Sequence, residues 1–133
     1  MDNLILIPAR GGSTRVKNKN IKLLGSVPLI CHSIITSLQV PNSRVIVSSD
    51  DDMIISVAKK YGAETPFKRP DKLSKYDSPS IDVIMHTLKW LKENEEYEPK
   101  LVIYKPPTNP FISSNSINEM IEIIKNDNLL SSI

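Results

Sequence analysis

Residues 4–7 are an unbroken apolar run, Leu-Ile-Leu-Ile, that opens at once into a glycine-bearing cationic loop. A short apolar run of this kind reads as a buried strand. The loop after it carries adjacent Gly11 and Gly12, the hydroxyls of Ser13 and Thr14, and five cations: Arg10, Arg15, Lys17, Lys19 and Lys22. No Asp or Glu occurs between residues 3 and 49. In an α/β protein a strand that enters such a loop is suited to hold a polyphosphate. Glycine lets the backbone approach an anion and adopt positive φ. Backbone N–H groups then form an anion-binding nest, and Arg and Lys add charge-assisted hydrogen bonds. An ordinary surface turn with solvated charges is the plainer alternative. The glycine spacing fits neither Gly-x-x-x-x-Gly-Lys-Ser/Thr nor Gly-x-Gly-x-x-Gly.

Charge is unevenly distributed. Residues 1–49 hold six Lys or Arg against Asp2, whereas residues 50–133 hold eleven against fourteen Asp or Glu. Positive charge gathered at one loop favours a compact anionic ligand over nucleic acid, which calls for basic residues spread along a face. No run approaches the ~20 apolar residues of a membrane span. The early first strand leaves no room for a signal-peptide pattern. One cysteine, Cys31, excludes an internal disulfide framework and suits a reducing, cytoplasmic location. The 133 residues fit one nucleotide-binding α/β domain.

Elements alternate along the chain. Residues 28–38 read as a helix with Leu29, Ile30, Ser33, Ile34, Ser37 and Leu38 on one face and Pro28 near its first turn. Residues 45–47 are a β-branched strand. Residues 50–61 read as a helix with Ile54, Ile55, Val57 and Ala58 facing in, and Gly62 is its stop. Asp50 or Asp51 is its N-cap, with metal ligation as the alternative. An irregular segment covers 63–76. A longer helix spans 78–94 with Ile81, Ile84, Met85, Leu88 and Leu91 inward. Residues 101–104 form a third strand, and prolines 106, 107 and 110 shape a loop. A helix over 115–125 and a strand start at 129–133 complete the pattern. Such alternation predicts a Rossmann-like, mostly parallel sheet with helices on both faces. The loops after its strands converge on one cleft at the carboxyl ends. Adjacent Cys31 and His32 do not face each other on a helix, and they and His86 read as structural. Two histidines and one cysteine make a zinc site improbable.

The run Ile7-Pro-Ala-Arg-Gly-Gly-Ser-x-Arg-x-x-x-Lys-Asn-Ile-Lys22 resembles the opening signature of the acylneuraminate cytidylyltransferase family, whose members make CMP-sialic acids and related CMP-nonulosonates. Val47-Ser-Ser-Asp-Asp51, Lys68-Arg-Pro70, Leu73-Ser74, Asp77-Ser-Pro-Ser80 and Pro107-Thr-Asn-Pro110 resemble its later motifs, in the same order. The resemblance implies a fold of the nucleotide-diphospho-sugar transferase type. It also implies transfer of CMP from CTP to an acidic nine-carbon sugar, in surface polysaccharide biosynthesis. Arg10 and Lys19 are the implied catalytic residues and contact the triphosphate together with Ser13 and Arg15. Ala9, Gly11, Gly12 and Asn20 belong to the nucleotide site, and Arg69, Asp77, Ser78 and Ser80 to its base and ribose side. Lys105 and Thr108 are the implied sugar-side residues. Magnesium is the implied cofactor, and the implied partners are CTP and the acidic sugar, in a homo-oligomer without nucleic acid or membrane.

Two departures qualify the resemblance. Pro106 stands where the family usually has Gln, and Lys105 beside it is placed to pair with a sugar carboxylate instead. Members of the family are also longer, so the resemblance implies a chain cut short at its C-terminus, without later sugar-binding, dimerisation and metal-holding segments. Weak or no turnover, retained nucleotide binding, and self-association or poor solubility through an uncovered sheet edge follow as expectations. A sugar nucleotidyltransferase using another nucleotide and a non-catalytic nucleotide-binding or assembly module stay open as alternatives.

Overall fold

The computed structural model of the chain describes residues 1–11, 23–24, 27–74 and 78–106. In chain order its elements are β1 (Asn3–Pro8), β2 (Leu23–Leu24), β3 (Val27–Pro28), α1 (Leu29–Leu38), β4 (Ser43–Ser48), α2 (Asp52–Lys60), a 3-10 turn (Asp71–Leu73), α3 (Ser80–Glu95) and β5 (Leu101–Tyr104). The three longer strands form a parallel sheet in the order β4-β1-β5. In the middle strand, Ile5 lies opposite Val45 on one side and Ile103 on the other.

Both faces of this sheet are covered. Ile5, Ile7, Val45, Val47 and Ile103 pack against Ile30, Ile34, Ile54 and Ala58 of α1 and α2. Leu4, Leu6 and Ile46 pack on the opposite face against Leu91 of α3, with Ile84, Leu88 and Trp90 half-buried around them. Leu4, Ile5, Leu6 and Ile7 are therefore all fully buried, which explains a strand without polar alternation. Each such side chain contributes about 1.5–3 kcal/mol through burial. The chain moves from β1 to β4 by way of α1, then crosses back over β1 to β5 by way of α3. Direction of travel and face reverse together, as a uniform crossover hand requires.

Several expectations shift by a residue or two, and some fail. Pro28 does not open α1. It pairs with Leu23 in the two-residue antiparallel hairpin β2–β3, which the sequence reading lacks. In α3 the buried stripe is Val83, Thr87 and Leu91, while Ile81 and Met85, expected inside, are 59% and 55% exposed. Thr87 tolerates the core because its hydroxyl donates to the Val83 carbonyl at 3.0 Å. Leu38 is exposed as well.

The segment after α2 is more ordered than an irregular loop. Glu64 bridges to Ile46 in parallel, its N–H donating to Val45 O at 2.9 Å and its carbonyl accepting from Val47 N at 3.0 Å. Arg44 clamps this outer side of β4 between Glu64 and Glu95 and lies 4.6 Å over the Tyr97 ring. The expected helix at 115–125 and strand at 129–133 lie outside the described residues.

Candidate functional site

The carboxyl ends of β1 and β4 are tied together beyond the last paired residues. Ala9 N donates to Ser48 O at 2.9 Å, and Ala9 is fully buried. Two residues on, Gly11 N donates to the Asp50 carboxylate at 2.9 Å. A Cβ on Gly11 would sit 2.6 Å from both Cβ and Oδ2 of Asp51. Glycine is needed here for close approach. Gly11 does not have the positive φ expected of it; among the described glycines only Gly62 does, at 100°. The Gly11 N–H is also engaged by a carboxylate rather than left open in a nest.

The second loop, 48–51, divides its two aspartates between two tasks. Asp51 is the N-cap of α2: its side chain accepts from Met53 N at 2.8 Å and Ile54 N at 3.2 Å. Asp50 is left to face the glycine loop. Ser49 Oγ accepts from Asp51 N at 3.1 Å and braces the turn between them.

Arg69 holds this loop from its other side. Its backbone N donates to Ser49 O at 2.8 Å, Nε to Ser48 Oγ at 3.0 Å and Nη2 to Ser48 O at 2.7 Å. A further contact runs from Nη1 to Leu73 O at 3.4 Å. The residue is only 4% exposed. Burial pushes the guanidinium below its ordinary value; Tyr104 and Asp50 oppose the shift, and the Arg10 charge adds to it. Arg10, Asp50, Arg69 and Tyr104 thus share one electrostatic neighbourhood at the end of the sheet. Arg69, expected at the base and ribose side of a nucleotide, lies at this end of the sheet with its guanidinium bonded to protein acceptors.

Lys105 also differs in placement from its expected sugar-side position. It continues the β1–β5 pairing, with N donating to Leu6 O at 2.9 Å. Its side chain turns under α1, where Nζ donates to Ser33 O at 3.3 Å and Ser37 Oγ at 3.1 Å. Burial lowers its pKa to about 8. Strand alternation explains this: Leu101, Ile103 and Lys105 fall on one face, and that face is core.

Ser78 is half-buried and Ser80 exposed, at the start of α3. Because α3 leads into a parallel strand, its N-terminus lies at the same end of the sheet as the two loops. Gly12, Ser13, Arg15, Lys19, Asn20, Asp77 and Thr108 lie outside the described residues. His86 packs edge-on against Phe67, with ring centroids 4.8 Å apart, and burial lowers its pKa.

A magnesium ion needs at least one or two available carboxylates beside phosphate oxygens. Asp51 Oδ1 accepts from two α2 N–H groups, and Asp50 Oδ1 accepts from Gly11 N. No group of three or more His, Cys, Asp or Glu suited to a metal occurs among the described residues. No magnesium ligand is assigned among the described residues. No helix among them is long and apolar enough to cross a membrane.

Known proteins share both the sequence and this architecture. A pseudaminic acid cytidylyltransferase of Campylobacter jejuni is 38% identical over 127 residues, covering 92% of this chain and 53% of the relative. A CMP-N,N'-diacetyllegionaminic acid synthase of Legionella pneumophila is 34% identical over 123 residues, with the same 92% and 53% coverage. The chain spans about half the length of these curated relatives. Among solved structures, a CMP:2-keto-3-deoxy-manno-octonic acid synthetase complexed with CTP has the same fold. Its TM-score is 0.79 at 22% identity, over 97% of this chain and 49% of that one. The family model described as cytidylyltransferase matches residues 4–132, nearly end to end, and the chain belongs to that family.

Proposed function

We propose that this chain is the nucleotide-binding part of an enzyme that transfers CMP from CTP to an acidic nine-carbon sugar. One observation carries the reading: the loop that begins with Arg10 and Gly11 is fixed to the Ser48–Asp51 loop at the carboxyl end of a parallel sheet. Ligands of open α/β sheets bind in that position. The names of the pseudaminic and legionaminic acid relatives support the acceptor class.

In the reaction a hydroxyl oxygen at the sugar's anomeric carbon attacks the α-phosphate. The bond between that phosphorus and the bridging oxygen to the β-phosphate breaks, and its electron pair leaves with pyrophosphate. The sugar hydroxyl loses its proton to solvent or a base. Such a displacement depends on alignment and charge neutralisation. Arg10, Ser13, Arg15 and Lys19 are assigned to the triphosphate, and Ala9, Gly12 and Asn20 to the rest of the nucleotide.

Thermal shift with CTP, UTP, GTP and ATP tests the reading. CTP is expected to raise Tm most. Replacing Arg10 and Lys19 together by alanine is expected to weaken CTP binding at least about tenfold, since charge-assisted hydrogen bonds each contribute ~1.5–3 kcal/mol. A response to GTP alone would favour a different nucleotidyltransferase.

A further inference from the structure

We propose that Asp50 is a positioning residue that braces the glycine loop for the nucleotide. This rests on the CTP-binding reading above and adds a residue to it.

The argument begins from what Asp50 does not do. It is not the helix cap, because Asp51 fills that place with two N–H donors. The Asp50 carboxylate reaches across to the other loop instead and accepts from Gly11 N at 2.9 Å. Thirty-nine residues separate the partners, so this bond joins two strand ends rather than shaping a local turn.

Three contacts define the loop's departure from β1. Ala9 is held at Ser48, Gly11 at Asp50, and the absent Cβ of Gly11 lets its backbone lie against Asp51. The Gly11–Asp50 bond lies two residues beyond the Ala9–Ser48 bond and joins the same two strand ends. Arg69, buried behind Ser48, holds the same 48–51 loop from its other side through Ser48 and Ser49. The carboxylate is thus a fixed part of the loop's support.

The test uses the full chain and three variants. Asp50→Ala removes the acceptor. Asp50→Asn keeps an acceptor oxygen at Oδ1 but removes charge. Asp50→Glu keeps charge but displaces the acceptor by a methylene. Amide hydrogen exchange at Gly11, measured by NMR without nucleotide, should be at least about tenfold faster in Asp50→Ala and Asp50→Glu, and near parental in Asp50→Asn. CTP affinity should fall about tenfold in the Ala and Glu variants and stay within about threefold in Asn. Unchanged Gly11 exchange in Ala and Glu, tighter CTP binding in Ala, or equal damage in Asn and Ala would overturn the brace. Should Asp50→Ala fail to fold, the Asn and Glu pair still decides. Should the parent bind no CTP, the functional reading falls, while Gly11 exchange still judges the brace.

Discussion

Lys105→Met should change stability with a sign that depends on pH. The ammonium lies under α1 with 4% exposure and is hydrogen-bonded to Ser33 O and Ser37 Oγ. Burial lowers its pKa from 10.5 to about 8. At ~1.36 kcal/mol per unit, holding the charge inside costs about 3 kcal/mol below pH 8. Between about 8 and 10.5 the unfolded chain binds the proton more tightly than the folded one. Stability contributed through this group therefore rises with pH across that window, and the cost is fully present below it.

Methionine removes the charge and has nearly the same length, but it loses two hydrogen bonds of about 1 kcal/mol each. The variant should exceed the parent by roughly 1 kcal/mol at pH 7 and fall below it by roughly 2 kcal/mol near pH 10.5. Urea unfolding followed through Trp90 fluorescence at a series of pH values reads both chains. All other titrating groups are common to the two and cancel in the difference. A stability difference that stays constant from pH 7 to 10.5 would refute the assignment of Lys105 to the core.

Two further perturbations test the frame around the site. Gly62→Ala places a side chain at φ 100° with its Cβ 3.1 Å from Leu38 Cδ1, and it should lower stability by about 1–2 kcal/mol in urea titration. Asp51→Ala removes the acceptor for two α2 N–H groups and should cost about 1 kcal/mol. Circular dichroism during thermal unfolding checks it through a lowered Tm.

The frame was legible where burial acts on both sides of an element. Residues 4–7, 45–47 and 101–104 announced themselves as strands because each lies in a sheet with helices above and below. Gly62 announced the end of α2 because its backbone conformation suits few other residues. Helix α3 is less legible on one flank, where apolar character favours Ile81 and Met85 over the buried Thr87. A threonine bonded to its own helix carbonyl leaves no trace in hydropathy. The hairpin β2–β3 carries too few residues to show a period.

At the site, glycine and charge were readable, but partners were not. Nothing in the letters shows that Gly11 meets Asp50 or that Arg69 grips Ser48. The burial of Lys105 under α1 is legible in the alternation of Leu101, Ile103 and Lys105, but a lysine after a strand suggests a ligand before it suggests a buried stem.

The middle strand of the described sheet precedes both of its neighbours in the chain. Its neighbours pair Asn3 with Ser43 and with Leu101. The Leu4–Ile7 segment meets β4 about forty residues further along the chain, but its second flank stays open until β5, about a hundred residues on. Topologies dominated by such distant pairings assemble slowly and expose adhesive intermediates. Production in cells should therefore respond to slower translation or chaperone supply, even where the finished molecule is robust.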